Sequence, residues 1–445
     1  MHHKRGWAHH MRARALATGV VLAAAAALPS GATAAAPTLY VGHGATGNDS
    51  GCAAPGYSSV QAAVDAAPTG ATVYLCGGQF AEQVFIAKSL TLTGDAGSGL
   101  TAAGTAFAGQ SAYPSVFTTD NLAAPQALLV VTGGDVQVEG LTITGGSTNG
   151  GCANDEYGIL ALGGSVEVSH DQVLGVADTN SGLWGCQYGV AIQVGRSYWP
   201  TVGFGSFPQV DFAAGATISH SLVAGYQKNG ITVDGTGSSA LIAHDTVAGG
   251  SAGFDPIIGQ NGIQISRGAT ATVTHDTVTG NAYTGMGGAS ATGVLVYGGG
   301  GDPLTAGVVI AHNTLTGNDI GIALANYNAD STGAAASVTG DTAAYNTIAD
   351  DADTNVSGLV NPAYQVLAGY QAGIEDIGNG DVLAHNAIYG GGYASQGTYD
   401  YSTNPNLFTA TDTANIFARP IDAGLAFPTT SPTIVDNTYD GQPTS

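Results

Sequence analysis

The hydrophobic and polar positions of this chain repeat in a ten-residue pattern. Its clearest copy is ATVTHDTVTG at 271–280, in which apolar positions flank a His followed by Asn, Asp or Ser, and a Gly usually ends the unit. Further copies begin at Ala216, Ala240, Val308 and Asp381, with weaker copies at Val166 and Thr342. The unit is constant while the spacing between copies varies widely. This combination predicts a solenoid whose coils carry loops of different sizes.

A second pattern, Gly followed by Ile or Val, accompanies each copy. In the segment that starts at Asn229, Ile231 and Val233 share one face, because successive side chains of a strand alternate. One such strand and one His-Asn/Asp unit make one coil, whose apolar column joins the core. At the Asn/Asp position, as at Asn313, the chain turns between two short strands. We expect this Asn or Asp to adopt left-handed backbone angles and to bond neighbouring backbone in a ladder.

Six histidines occupy the same position of the repeat: His170, His220, His244, His275, His312 and His385. They suggest either an array of metal ligands or a structural stack of rings. Metal ligands converge on one point with carboxylate support, whereas these side chains would be spread along the axis of the solenoid. We therefore favour a structural stack with one imidazole in each coil.

The paired patterns resemble those of the right-handed parallel β-helices of the pectin-lyase-like superfamily. A predicted helix at 58–67, capped by Ser58 or Ser59, precedes ATVYL, GQFAE and VFIAKSLTLTG, an order similar to the opening of pectin methylesterases. The resemblance implies an all-β fold: a single-domain right-handed parallel β-helix over 58–395 with an N-terminal capping helix. It implies no particular reaction, because this fold hosts many functions.

The first 34 residues have the features of a secretion signal. A basic start precedes an apolar run at 15–28, and Ala32-Thr33-Ala34 matches the small-residue cleavage pattern. The run is too short to span a bilayer. We expect a secreted, extracellular protein that divides into a signal peptide (1–34), a lead-in segment (35–57), the β-helix (58–395) and a C-terminal tail (396–445). The tail is expected to pack along the outside or to remain loose.

The charge balance narrows the choice of partners. Four of the nine basic residues lie in the signal segment and none of the 32 acidic residues does, so the remainder is strongly acidic. Such a surface repels nucleic acid and anionic membranes. Solubility in a salty or extracellular medium explains the acidity equally well. We expect a monomer whose partner is a polysaccharide.

The four cysteines are Cys52, Cys76, Cys152 and Cys186. An even number in an exported chain favours two disulfides, for which three connectivities exist. We favour Cys52–Cys76 and Cys152–Cys186, because each pair closes a local loop. A zinc site is the alternative, and the lack of a CxxC pair disfavours it.

The basic residues outside the signal segment indicate a binding face. Three of these five, Arg196, Lys228 and Arg267, lie beside the Gly-Ile strands of successive coils, so stacking brings them to one face. We expect the side chains of Asp234 and Gln264 to project from the same face. A basic spot in an acidic protein suits the carboxylates of an acidic polysaccharide. The alternative is that these cations neutralise nearby acids.

An aromatic insertion at 195–215 begins beside this face. Its Tyr198 and Trp199 are candidates for stacking on sugar rings, and packing of the loop onto the coils is the alternative. The predicted substrate-binding residues are Arg196, Tyr198, Trp199, Lys228, Gln264 and Arg267.

The resemblance supports this location, because sites of the superfamily often lie in a groove on this parallel sheet. It supplies no mechanism, since the later motifs of the methylesterases, polygalacturonases and large pectate lyase families are missing. If the protein is an enzyme, we expect a polysaccharide lyase or glycoside hydrolase. Arg196 or Arg267 would then take a proton, and Asp234 would accept a proton or bind a cation. A non-catalytic cell-surface or adhesive protein and a purely structural repeat protein are the alternatives.

One acidic segment has the oxygen spacing of a calcium loop. Asp351, Asp353 and Asn355 occupy its first, third and fifth positions. Val356 replaces the sixth-position glycine of such loops, and Pro362 replaces the distal glutamate. We therefore favour an acidic surface loop and expect no cofactor, with calcium as the alternative.

Overall fold

The computed structural model describes residues 36–102, 126–146, 152, 156–198, 210–250, 253–285, 289–329, 335–352, 355, 371–394, 425–426 and 432–443. The predicted signal peptide lies outside these residues. Within them, the helices are α1 (Val60–Ala66), a 3-10 helix (Ser181–Leu183) and α2 (Gly391–Ala394). None of the described helices has the length and apolar character needed to cross a membrane.

Three long sheets contain nearly all of the described strands. Sheet A holds the strands that precede each His turn: β1 (Thr38–Val41), β2 (Thr72–Leu75), β5 (Leu90–Gly94), β8 (Asp135–Glu139), β11 (Ser165–Ser169), β16 (Gly215–Ser219), β19 (Ser239–Ala243), β22 (Thr270–Thr274), β25 (Val309–Ala311), β28 (Thr342–Ala344), β31 (Val382–Ala384) and β34 (Thr433–Val435). Sheet B holds the strands that follow each turn: β3 (Gln79–Phe80), β6 (Gly99–Thr101), β9 (Thr142–Thr144), β12 (Gln172–Leu174), β17 (Leu222–Ala224), β20 (Thr246–Ala248), β23 (Thr277–Thr279), β26 (Thr314–Thr316), β29 (Thr347–Ala349), β32 (Ala387–Tyr389), β35 (Thr438–Tyr439) and β36 (Gln442–Pro443).

Sheet C holds the Gly-Ile strands: β4 (Val84–Ile86), β7 (Gln126–Val131), β10 (Glu156–Ala161), β13 (Val190–Val194), β18 (Asn229–Asp234), β21 (Asn261–Ser266), β24 (Thr292–Gly298), β27 (Ile320–Asn326), β30 (Ala372–Asp376) and β33 (Leu425–Ala426). A separate antiparallel hairpin joins β14 (Arg196–Tyr198) to β15 (Val210–Phe212). Strand β36 pairs antiparallel to β35, and the other pairs within the three sheets are parallel.

Successive coils stack in register, so equivalent apolar side chains form columns inside the three sheets. Ile231 of β18 lies beside Ile263 of β21, and Val233 lies beside Ile265. All four are 0% exposed and belong to one continuous apolar core. Burying such a side chain stabilises the fold by about 1.5–3 kcal/mol. The chain is therefore a parallel β-helix, as the resemblance implied.

Helix α1 packs against β1, β2 and β4 at the N-terminal end of the core. Ser59 is its N-cap, and the Ser59 hydroxyl accepts a hydrogen bond from the backbone N–H of Ala62. Glu82 accepts a second bond from the backbone N–H of Val60. Val60 and Val64 are buried against the core. The predicted capping helix is confirmed, with Ser59 as its cap.

The turn between sheets A and B, called the A–B corner below, differs from the prediction in one respect. The left-handed residue is the His rather than the following Asn or Asp: φ is 63° at His244 and 61° at His275. The expectation that Asn or Asp adopts these angles is wrong. Histidine also tolerates this region, and placing it there leaves its ring exposed while the next side chain is buried.

The Asn/Asp side chains nevertheless form the expected ladder. Asn313 Oδ1 accepts a hydrogen bond from the backbone N–H of Asp276, and Asn346 Oδ1 accepts one from that of Asn313. Asn313 Nδ2 donates to Asn346 Oδ1 and to Val273 O. Equivalent side-chain bonds to the backbone N–H continue along the A–B corner from β9 to β35. Each buried side chain thus satisfies backbone groups of its neighbours, which are costly to leave unpaired.

The predicted ring stack is confirmed on the exposed side of the same corner. Neighbouring ring centroids are 4.7–5.1 Å apart. A tyrosine replaces the histidine in one coil. The stack runs in the order His170, His220, His244, His275, His312, Tyr345 and His385.

The sheets continue on both sides of the predicted limits 58–395. Strand β1, in the lead-in segment, pairs with β2, and strands β33, β34 and β35 of the tail extend sheets C, A and B. The described parts of the tail therefore add to the β-helix.

Both predicted disulfides are confirmed. Cys52 is joined to Cys76 and Cys152 is joined to Cys186. The first bridge ties the lead-in segment to the residue after β2. The second ties together two successive connections that lead from sheet B to sheet C.

Candidate functional site

The connections that flank sheet C vary in length, whereas the A–B corner is constant. From β8 to β35, every turn of the A–B corner has two residues. The connections from sheet B to sheet C range from 317–319 to 390–424, and those from sheet C to sheet A range from 267–269 to 195–214. Insertions in repeat proteins collect on one face, which is often the binding face. Sheet C is therefore the candidate functional face.

The outward side chains of sheet C are buried or half-buried, whereas several of those on sheet B are exposed. On sheet B, Thr246, Thr277 and Thr314 are exposed. On sheet C, the outward Gln193 and Thr232 are only 1% and 3% exposed. Polar side chains that are buried in this way need hydrogen-bond partners, so this face has a fixed polar arrangement.

The outer face of sheet C changes character along the helix axis. In the early coils it carries an apolar cluster that includes Val130, Tyr157 and Leu160, all buried. In β13, β18 and β21, amides, hydroxyls and a carboxylate replace the apolar side chains, whereas Leu295 and Ala323 are apolar at the position equivalent to Gln264. The polar part begins in β13, where the predicted binding residues are found.

An ion pair lies at the ends of β18 and β21. Arg267 Nε donates to Asp234 Oδ1 at 2.8 Å, and Arg267 Nη2 donates to Asp234 Oδ2 at 2.7 Å. Ser266 Oγ and the backbone N–H of Ser197 also donate to Asp234. The Asp234 side chain is 0% exposed, whereas that of Arg267 is 24% exposed. Asp234 thus accepts from four donors, so both of its carboxylate oxygens are committed to groups of the protein itself.

Arg196 lies on the same face as this pair. Its guanidinium carbon is 5.4 Å from the centroid of the Tyr157 ring, a cation–π distance. In the hairpin, Arg196 pairs with Phe212, so the aromatic insertion begins as two short strands. The side chain of Tyr198 and the whole of Trp199 lie outside the described residues.

Gln264 is the centre of an amide network. Its Oε1 accepts from the Nδ2 groups of Asn229 and Asn261, and its Nε2 donates to Ser266 Oγ. Because Ser266 also donates to Asp234, the network reaches the ion pair. Sequence reasoning missed Asn229 and Asn261, although an Asn before Gly-Ile in two successive coils was a usable signal.

Lys228 lies at the other end of the strand. It precedes β18, whereas Asp234 is the last residue of that strand, which separates them by about 20 Å. Lys228 Nζ donates to Gly259 O. Burial lowers the pKa of Lys228 to about 8, so most molecules keep this charge at neutral pH. The structure thus places Arg196 and Arg267 at one edge of sheet C and Lys228 at the other.

Two tyrosines, not anticipated from the sequence, extend the face. The rings of Tyr297 and Tyr327 are half-buried, with centroids 6.3 Å apart. Burial and the charge of Asp302 raise the pKa of Tyr297, while Arg267 acts in the opposite direction. Tyr297 therefore keeps its proton at neutral pH and can donate a hydrogen bond.

The proposed calcium loop does not bring its ligands together in the described residues. Asn355 is buried, and its Nδ2 donates to Asp319 Oδ2 and Ala289 O. Asp351 is exposed, and Asp353 lies outside the described residues. Among the described side chains, no group of three His, Cys, Asp or Glu residues is placed to hold a metal ion.

Comparisons with known proteins return solved structures at low sequence identity. No protein-family model matches the chain, and no curated protein matches it either. An alginate lyase from Paenibacillus sp. str. FPU-7 is 15% identical, with a TM-score of 0.41, and the match covers 79% of this chain and 95% of the lyase. The Dettilon tailspike protein is 12% identical with a TM-score of 0.42, over 79% of this chain and 62% of the tailspike. A pectin methylesterase variant in complex with a hexasaccharide is 9% identical with a TM-score of 0.30, over 79% of this chain and 78% of the esterase.

Proposed function

We propose that the chain is an exported carbohydrate-binding protein whose ligand is an acidic polysaccharide. The binding face is the outer face of sheet C from Gln193 to Tyr297. The placement of the long connections carries this proposal, because they flank sheet C and leave the A–B corner unchanged. Export is supported by the signal features and by two disulfides, which persist in oxidising compartments.

The chemistry of the face suits a sugar acid. Half-buried tyrosines offer ring surfaces for sugars, and buried amides hold the surrounding polar groups in place. Arg267 is a partly exposed guanidinium fixed by Asp234, so part of its donor set remains directed towards solvent. Arg196 adds a second cation on the same face, in a chain with few cations.

The described groups favour binding over catalysis. Asp234 is committed to four donors, and Tyr297 is protonated at neutral pH. Neither is a ready general base, which both a lyase and an inverting hydrolase require. The protein is thus proposed as a non-catalytic binder, with lyase or hydrolase activity as the competing outcome of the test.

The test uses one aromatic residue and a matched control. Tyr297→Ala removes a ring from sheet C, and Tyr40→Ala removes one from the outer face of sheet A, where Tyr40 and Tyr74 form a similar pair with centroids 5.7 Å apart. At pH 8 we expect Tyr297→Ala to weaken polyuronate binding on the order of tenfold, as for loss of one aromatic contact. Tyr40→Ala should bind like the wild type. Titration calorimetry with alginate and polygalacturonate measures both, with neutral glucans for comparison.

Three outcomes contradict the proposal. Equal losses in the two variants would show that neither ring contacts the ligand specifically. Preference for neutral glucans would exclude an acidic ligand. Unsaturated products or new reducing ends, released by the wild type during incubation, would make the protein an enzyme.

A further inference from the structure

The exposed side of the A–B corner carries a second group of titratable side chains, separate from those of sheet C. Five histidines in consecutive coils form what we call the imidazole strip: His170, His220, His244, His275 and His312. Their ring centroids are 5.0–5.1 Å apart and their planes are tilted by 9–29°. All five rings are exposed. Histidine is the side chain that ordinarily gains charge between pH 8 and pH 5.

The surfaces beside the strip carry no charge. The strands of sheets A and B between Gly215 and Tyr389 contain no Asp, Glu, Lys or Arg. The exposed acidic groups of the corner lie at its two ends: Glu139 and Glu167 lie near the first ring, and Asp436 lies 3.7 Å from His385, two coils beyond His312. In an acidic protein, this is an uncharged zone with a line of imidazoles through its middle.

The buried carboxyl groups behind the strip lose negative charge when the pH falls. Asp171, Asp245 and Asp276 each follow a strip histidine and are buried. Burial raises the pKa of each to about 7. Acidification from pH 8 to pH 5 therefore removes negative charge behind the rings. Thr274 Oγ1, 2.8 Å from His275 Nδ1, is a neutral partner.

We propose that the imidazole strip is an acid-dependent binding site for a linear polyuronate, independent of the sheet C site. The charges of the protonated strip are in single file, one in each coil, at the strand spacing of about 4.8 Å. A polyuronate is likewise a single chain that carries one carboxylate in each sugar unit. Duplex nucleic acid carries two strands of phosphate, with a charge about every 1.7 Å of axis, and suits a wider basic surface.

The energetics favour a polyanion over isolated anions. Imidazolium groups at this distance repel one another. A bound polyanion relieves that repulsion and draws further protons onto the rings. Binding should therefore take up protons, which a purely structural stack would not do.

The experiment compares two variants at two pH values. One variant is the triple substitution His244→Asn, His275→Asn and His312→Asn, since Asn tolerates the left-handed angles found there. The other is Tyr345→Asn, which removes a ring from the same stack without removing an imidazole. Circular dichroism verifies that both variants are folded. The probe is an oligogalacturonate long enough to span the five rings.

We expect the wild type to bind this probe on the order of tenfold more tightly at pH 5 than at pH 8, with proton uptake measured by calorimetry in buffers of different ionisation enthalpy. The triple variant should lose the acid-dependent gain and the proton uptake, and Tyr345→Asn should keep both. Unchanged binding in the triple variant would overturn the site. Equal losses in both variants would make ring stacking the cause, and equal binding of single-stranded DNA would exclude a polyuronate site.

The two proposed sites can be disproved independently of each other. The sheet C variant Tyr297→Ala should lose binding at pH 8 and keep the acid-dependent gain. The triple variant should do the reverse. If Tyr297→Ala also removes the acid-dependent gain, the strip is not an independent site.

Discussion

The A–B corner and the flanks of sheet C belong to the same coils, yet they accept change very differently. At the corner, each buried side chain bonds the coils on either side, as Asn313 bonds Asn346 and the backbone of Asp276. At the flanks, side-chain bonds join some neighbouring coils, as Asn318 Oδ1 accepts from the backbone N–H of Asn281, but parts of the longer connections reach solvent. Gly301, at the tip of one such loop, is exposed, and a side chain added there would meet nothing within 4 Å.

This difference teaches where a β-helix can change its function. A column of bonds that runs through every coil fixes the length of each turn in it, because one altered turn leaves groups of two neighbours unpaired. The flanks have such bonds only between some coils, so a connection there can lengthen in one coil alone. The constant corner therefore keeps the coils in register, and the variable flanks supply the binding surface.

Inserting one glycine at the A–B corner and one in a loop beside sheet C should give the largest difference between the two regions. A glycine inserted between His275 and Asp276 displaces a ladder side chain and leaves several buried groups unpaired. We expect the free energy of unfolding to fall by about 3–6 kcal/mol, at 1–3 kcal/mol for each buried group. A glycine inserted between Gly300 and Gly301 should cost less than about 0.6 kcal/mol, the cost of doubling a loop.

Urea denaturation at pH 6 measures both insertions. Similar losses in the two proteins would show that the corner is no more constrained than the flank. A loss confined to the flank insertion would reverse the comparison.

The corner itself contains a second contrast, between aspartates in its early coils and asparagines in its later coils. Asn313 Nδ2 donates to Asn346 Oδ1 and to Val273 O. At the equivalent position, the Oδ2 atoms of Asp245 and Asp276 are buried without a hydrogen-bond partner. Burial raises the pKa of both carboxyls to about 7, so they are neutral in acid and become charged above neutrality.

Replacing one of these aspartates by asparagine, the residue found in the later coils, should change the pH dependence of stability. A carboxyl whose pKa is about 7 when folded and about 3.8 when unfolded loses stabilisation as the pH rises from 4 to 7. Asp276→Asn removes that loss. It should raise the free energy of unfolding at pH 8 by up to about 4 kcal/mol and leave it nearly unchanged at pH 4.

Urea denaturation at several pH values between 4 and 8 measures the slope of the unfolding free energy against pH. Asp65→Asn, at an exposed position on α1, is the control and should keep the wild-type slope. An Asp276→Asn protein with the wild-type slope would show that this carboxyl is already ionised at low pH.

The fold was predictable because its signals repeat. Apolar columns such as Ile231 and Ile263, and a polar residue at each turn, recur in every coil, so errors in one copy are corrected by the others. The left-handed residue was not predictable in this way. Histidine and Asn/Asp both tolerate those angles, and periodicity does not show which of two adjacent residues is buried.

The candidate site could be predicted only in part from the sequence. Register places Asp234 and Ser266 on adjacent strands, and Arg267 follows directly. The bidentate pair itself depends on the left-handed angle at Arg267, for which the sequence offers no repeated signal. Tyr297 and Tyr327 were missed because each occurs in a single coil. The binding role of Arg196, Tyr198, Trp199, Lys228, Gln264 and Arg267 stays a prediction.

The smallest expected effect concerns the exposed side of the corner, where rings stack without sealing any backbone group. His275→Asn removes two ring contacts, at 5.0 Å to His244 and 5.1 Å to His312, and keeps the left-handed turn. We expect the free energy of unfolding at pH 8 to fall by about 1–3 kcal/mol, at about 0.5–1.5 kcal/mol for each of the two ring contacts. Tyr345→Asn removes two contacts of the same stack and should cost a similar amount. Binding at sheet C should be unchanged in both variants. A loss above about 3 kcal/mol would place the rings among the essential supports of the corner, because packing alone does not supply that much. The buried ladder and the exposed stack would then be one constraint rather than two.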